Sequence, residues 1–149
     1  MNAFEENLND LLVNTLNYVL KFEETSLKTI ADTPVTVTEA HIIESISKRM
    51  GKSTVSDIAT DLNIAVPTAT VAVKKLTSKG LVQKAPFSED GRRFIISLTE
   101  RGEKVDRAHG IFHRRMVRNI SREFSDDEKE LLLTAIQKLS LFFKEKIED

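Results

Sequence analysis

"VSDIATDLNIAVPTATVAVKKLTSKGLV", residues 55–82, is the stretch that decides the fold. Val55, Ile58, Ala59 and Leu62 recur at helical spacing, so its first eight residues are expected to form a short helix. Thr54 or Ser53 stands where a side-chain oxygen can cap that helix. Asn63, Ile64 and Ala65 connect it to a second helix. Pro67 fits that helix's first turn, where a missing N–H costs nothing. Ala69, Ala72, Val73 and Leu76 form its inward face, and Gly80 closes it. Two short helices joined by so tight a turn read as a helix-turn-helix. The small residues ahead of Lys74 and Lys75 in the second helix include no acid, base or strong metal ligand. Such a face favours close approach to a surface over chemistry.

The period changes after Gly80. "LVQKAPF" (81–87) and "FIISL" (94–98) are short β-forming runs, and "SEDG" (88–91) between them is a turn cluster. Helix-turn-helix followed by hairpin is a winged helix. On the N-terminal side, Phe4, Leu8, Leu11, Leu12, Leu16, Val19 and Phe22 mark a long helix that Pro34 ends. Thr38 is expected to open the next helix, with Ile42, Ile43 and Ile46 inward and Gly51 at its end. On the C-terminal side, Thr99 caps a helix running to about Phe124. Ser125 and Glu128 form a capping box for the last one.

The fold expected is mainly α with a small β-wing: a winged helix-turn-helix with long terminal helices. One domain spans 1–149, with the DNA-binding region at 36–98, its helix-turn-helix at 54–79 and its wing at 81–98. Segments 1–32 and 100–149 are expected to be dimerisation helices. Their apolar faces, Leu8 to Phe22 and Leu131 to Phe143, exceed what a minimal winged helix needs and call for a second copy.

The 149 residues include no cysteine, which excludes thiolate catalysis, thiol redox sensing and cysteine metal sites. "MNAFEENLND" lacks a signal-peptide core, and no apolar run reaches membrane-spanning length, so a soluble cytoplasmic protein without a membrane partner is expected. Net charge is only −1. Its distribution is uneven: residues 64–118 hold twelve Lys/Arg against five Asp/Glu, whereas residues 1–63 hold five against ten. A basic middle between acidic ends suits a polyanion partner.

"DGRRFIISLTERG" (90–102) carries the wing signature of the MarR-type transcriptional regulators, which this chain resembles over nearly its whole length. Asp90, Arg92, Leu98, Thr99 and Gly102 fall at the family's spacing. "HIIESI", "VPTATVAVKKLTSKG" and "HGIFHRRMVRNI" resemble more narrowly the branch that represses bacterial fatty-acid synthesis genes. Val71 replaces the arginine usual in the middle of the recognition helix, which bears on which bases are read.

The resemblance implies a dimeric repressor bound to a palindromic DNA operator, with recognition helices about 34–36 Å apart. Thr68 and Thr70 are candidates to donate to phosphates or base edges, and Val66, Pro67 and Val71 to touch thymine methyls. Lys74 and Lys75 suit phosphates, and Thr54 joins this set. The resemblance assigns Arg92 to the minor groove, where a narrow A·T-rich tract favours a guanidinium. Asp90 braces the turn or an arginine, and Arg93 meets phosphate. In this family the effector binds where the long helices meet the winged part. The candidate residues are Phe22, Leu27, Ile30, Phe112 and Met116, with a basic rim at Arg107, Arg114, Arg115 and Arg118. The narrower resemblance implies long-chain acyl carrier protein as corepressor. The alternatives are a small aromatic or other lipophilic effector controlling efflux or stress genes, and a winged helix used only for protein contacts.

His109 and His113 stand four apart, a spacing that can hold a metal. The sequence offers no obvious third ligand, so neither metal nor cofactor is expected. His41, beside Ile42 and Ile43, reads as a core-edge histidine. With no phosphate-cradling glycine loop and no nucleophile elbow, no catalytic residue is assigned and no enzyme is expected.

Overall fold

The computed structural model describes residues 1–30, 32, 34–87 and 93–148. The elements run α1 (Ala3–Ile30), α2 (Val37–Lys48), α3 (Val55–Leu62), α4 (Val66–Ser78), β1 (Val82–Pro86), β2 (Phe94–Leu98), α5 (Glu100–Arg122) and α6 (Asp126–Glu148). This is the expected mainly α architecture with a two-stranded wing. The strands are antiparallel, in a register that pairs Val82 with Leu98 and Pro86 with Phe94. The chain divides into two compact units, Met1–Gly110 and Ile111–Asp149.

The core of the first unit is aliphatic. Ile42, Ile43 and Ile46 of α2 meet Ile58 and Ala59 of α3, and Ala69, Val73 and Leu76 of α4. Leu81, Val82 and Ile96 of the hairpin and Val105 of α5 complete it. Each Ile or Leu buried here contributes roughly 1.5–3 kcal/mol. Helix α1 is different. Only Glu23 and Leu27 are buried along its 28 residues. Phe4, Leu11, Leu16 and Phe22 are more than half exposed. In the second unit α6 has no buried residue, and Leu131, Phe142 and Phe143 are exposed. Its start is the expected box: the Ser125 amide donates to Glu128 and the Glu128 amide to the Ser125 hydroxyl.

Two expected boundaries move. Helix α2 is capped by Thr36, not Thr38. The Thr36 hydroxyl accepts from the Glu39 amide, and the Glu39 carboxylate accepts from the Thr36 amide. A cap at Thr38 would put His41 in the reciprocal position, where it cannot return the bond. Helix α2 also stops at Lys48, and both Met50 (φ 50°) and Gly51 (φ 75°) are left-handed. Thr54, rather than Ser53, caps α3, because Ser53 is drawn into the sheet: its carbonyl accepts from the Ile96 amide at 2.7 Å. Asn63 supplies the left-handed residue (φ 51°) that makes the turn into α4 tight.

Asp61 pins α3 to α2. It accepts from Ser45 Oγ at 2.7 Å and from Arg49 at 2.9 and 2.6 Å through two nitrogens. The Arg49 fork, then the Ser45 hydroxyl, hold its carboxyl down to about 2. A folded-state value below the ordinary 3.8 means stability that is present above about pH 4 and lost as pH falls towards 2. Asp61→Asn is expected to flatten the urea midpoint between pH 4 and pH 2. At neutral pH it should cost about 1 kcal/mol, discounted for a side chain 30% exposed.

Candidate nucleic-acid interface

Helix α4 divides its residues by size. Ala69, Val73 and Leu76 are fully buried, while Val66, Pro67, Thr68, Thr70, Val71, Lys74 and Lys75 are all exposed. Val66 and Val71 stay about half exposed, at 48% and 55%. Apolar side chains left this open can meet a groove wall. The N-cap residue Ala65 makes no side-chain cap bond, so the first amides of α4 face outward without a side-chain oxygen across them. Pro67 lies within the first turn, as expected.

One side chain has a different hydrogen-bonding role from the one expected. The Thr70 hydroxyl donates to the Val66 carbonyl at 2.9 Å. Its proton is thereby engaged within the helix, which leaves the oxygen's lone pairs to accept from an outside donor. Thr54 is half-buried, and its hydroxyl both accepts from the Asp57 amide and donates to the Asp57 carboxylate. Thr54 thus sets the start of α3. Lys74 and Lys75 sit in the second half of α4, on its open side.

On the wing, Lys84 and Arg93 are exposed and line one groove with Thr54, Val55, Ser56 and Phe94. Sequence reasoning missed Lys84. The pairing of Lys84 with Ile96 brings it there, and that register depends on the hairpin's length rather than on any local motif. Asp90 and Arg92, with Gly91, lie outside the described residues.

The candidate effector residues divide between the two units. In the first, Phe22 is exposed, Leu27 is buried, Ile30 is half-buried and Arg107 is exposed, 3.6 Å from Glu103. In the second, Phe112 and Met116 are half-buried, while Arg114, Arg115 and Arg118 are exposed. The Phe112 ring stands edge-on to His113, with centroids 5.3 Å apart. A polar constellation that the sequence did not show lies inside the first unit. Glu23 of α1 meets His41 of α2 and His109 of α5.

Residues 35–94 match the family model described as MarR family. The chain is 26% identical to Streptococcus pneumoniae FabT, crystallised in complex with DNA, with a TM-score of 0.88 over 95% of this chain and 98% of that one. Residues 35–94 carry a MarR-family domain, and the chain has the fold of that family's DNA-binding transcriptional regulators.

Among curated relatives, the regulator is 26% identical to the transcriptional regulator ZitR of Lactococcus lactis subsp. cremoris (strain MG1363). That match covers 74% of this chain and 77% of ZitR. It is 35% identical to the HTH-type transcriptional regulator BilQ of Clostridium symbiosum (strain WAL-14163) over 69 residues. Those residues are 46% of this chain and 47% of BilQ, so the match spans about half of that relative. No helix among the described residues is long and apolar enough to cross a membrane.

The MarR wing signature has a structural meaning in this regulator. The Thr99 hydroxyl donates to the Gly80 carbonyl at 2.7 Å and accepts from the Gly102 amide at 3.1 Å. The Thr99 amide donates to the Leu81 carbonyl at 3.1 Å. Arg101 donates to the Lys79 carbonyl at 3.1 Å. One turn of chain therefore ties the end of α4, the exit of the wing and the start of α5. Gly102 is required by contact: a methyl group there would collide with the Leu81 carbonyl oxygen, which is backbone and cannot swing away. Gly102→Ala is expected to destabilise the protein by at least about 2 kcal/mol in urea unfolding, in the range of overpacked cores.

Proposed function

We propose that this regulator is a homodimeric, cytoplasmic repressor of fatty-acid biosynthesis genes, with long-chain acyl carrier protein as corepressor. The observation that carries this reading is the 26% identity with DNA-bound FabT over nearly the full length of both chains. The resemblance of "HGIFHRRMVRNI" to the fatty-acid branch points the same way. The exposed apolar residues of α1 and of α6 support a second copy as partner, because each helix leaves a run of large side chains in water. Arg114, Arg115 and Arg118 are exposed cations on one stretch of α5, suited to an acidic carrier protein.

The deciding experiment compares operator affinity alone, with long-chain acyl carrier protein, with unacylated carrier protein and with free fatty acid. Tighter binding with the acylated carrier alone is the expected result. No change with any of them sinks the lipid reading and leaves the DNA-binding regulator standing.

For the DNA face, we propose that Lys74, Lys75 and Arg93 neutralise phosphates and that Arg92 enters the minor groove beside Asp90. Val66, Pro67, Thr68, Thr70 and Val71 then face base edges. Lys74→Ala should weaken binding to all sequences about equally and reduce the salt slope by about one unit. Arg92→Ala should weaken binding most where the flank is A·T-rich. Salt titrations on operators with A·T and G·C flanks separate the two, and equal losses from both variants on both flanks remove the minor-groove role.

A further inference from the structure

Large apolar side chains in water are few in the winged part, and they gather on one set of elements. Among the described residues between 34 and 110 they are Met50, Val66, Val71, Phe87 and Phe94. Met50 apart, all lie on the open side of α4 or on the wing. A single exposed apolar residue is ordinary. Two exposed rings at one end of a hairpin whose strands are five residues long are not. Phe87 is 62% exposed and Phe94 47%.

The ribbon carries one ring on each face. Val82, Lys84 and Pro86 pair with Leu98, Ile96 and Phe94, so these side chains share a face. Ile96 is fully buried, which makes this the core-facing side, and Phe94 continues it past the end of the core. There Phe94 lines a groove with Lys84, Arg93 and the start of α3 at Thr54, Val55 and Ser56. Phe87 comes one residue after Pro86, and its amide donates to the Arg93 carbonyl at 2.7 Å. Strand alternation therefore turns its ring to the opposite face.

We propose that Phe94 and Phe87 are apolar DNA contacts, each ring packing on the deoxyriboses of one strand while the wing lies in the minor groove. Lys84 and Arg93 hold phosphates of the strand beside Phe94. This rests on the DNA-binding reading above and extends it to a contact without charge. Continuity is the first argument: the rings share the wing and α4 with Lys74, Lys75, Val66 and Val71, which have the same partner. Charge is the second. The groove beside Phe94 is lined by two cations and no acid, which suits a polyanion. Chemistry is the third. The sugar is the apolar part of the DNA backbone, and every nucleotide offers one. Such a contact adds affinity without choosing bases. It displaces water and releases no counterion, so its contribution does not depend on salt.

The test measures the affinity of the full chain, across a salt series, for a duplex selected from a randomised pool. Phe94→Ala, Phe87→Ala and Lys84→Ala are compared with the unaltered chain. Neither ring belongs to the buried core, so urea midpoints should stay unchanged. Each phenylalanine variant should bind roughly tenfold more weakly at every salt concentration, with the salt slope unaltered. Lys84→Ala should lower that slope by about one unit. The chain has no tryptophan, so Phe94→Trp and Phe87→Trp each introduce a single reporter. Their emission should shift to the blue when duplex is added. An unaltered chain that binds no duplex even at low salt removes the DNA-binding reading, and this proposal with it. Where the unaltered chain binds, any of three results overturns this proposal alone: unchanged affinity in both alanine variants, a loss accompanied by a fall in slope, or tryptophan emission that does not respond.

Discussion

At Gly102 the backbone of α5 runs against the carbonyl of Leu81 with no space for a side-chain carbon. Much of the arrangement of α4, the wing and α5 follows from that approach. It sets α5's first turn against the chain as that chain leaves α4. Thr99, three residues earlier, then reaches the Gly80 carbonyl with its hydroxyl and the Leu81 carbonyl with its amide. Leu81 and Val82 are thereby fixed as core residues, and Val82 is the first residue of the wing register. The helix that presents Lys74 and Lys75 and the strand that leads towards the wing tip share this one anchor. A packing constraint on a single glycine thus becomes a constraint on where α4 and the wing lie.

The winged helix was legible in the sequence because its signals are local. Val55, Ile58, Ala59 and Leu62 keep helical period, Pro67 and Gly80 punctuate, and the β-run Phe94 to Leu98 follows a turn cluster. The α2 start was misplaced by two residues because Thr36 and Thr38 look alike. Only the reciprocal bond to Glu39, itself tied to Lys79 at 2.7 Å, distinguishes them. The bond made by the Thr70 hydroxyl is equally invisible, since a threonine that donates to its own helix has the same sequence signature as one that donates outward. The cluster at Glu23 was the hardest to see. His41 is 18 positions away and His109 is 86. Glu23, next to Glu24 on a helix exposed almost throughout, reads as an ordinary solvated acid. Its burial is a property of tertiary packing, and no window of sequence contains it.

The charge asymmetry of the sequence needs a similar correction. Residues 64–118 are basic, but not every cation there is available to a phosphate. Lys79 donates to the Pro34 carbonyl and the Glu39 carboxylate, both at 2.7 Å. Arg101 bonds the Lys79 carbonyl. These two hold α2, α4 and α5 together. Lys74, Lys75, Lys84 and Arg93 are exposed on α4 and the wing. A basic segment can thus serve two ends: some charges hold the helices together and others stay exposed on α4 and the wing. Net charge per segment cannot separate them, because the separation depends on which carbonyls lie within reach.

Helix α2 lies between the long helix α1 and the helix-turn-helix. His41 faces Glu23 of α1, and the next two residues, Ile42 and Ile43, are fully buried beneath α3 and α4. Asp61 and Arg49 fasten the other end of α2 to α3. A helix held at both ends and packed along its length moves as a body or stays in place. An effector that bound the long helices would change DNA affinity only by the difference in its own binding energy between two positions of that body. The exchange is reciprocal: whatever factor the effector lends to operator binding, the operator returns to the effector. Typical couplings are about 1–3 kcal/mol. That is the scale of one hydrogen bond to a charged group, such as Glu23 makes to His109.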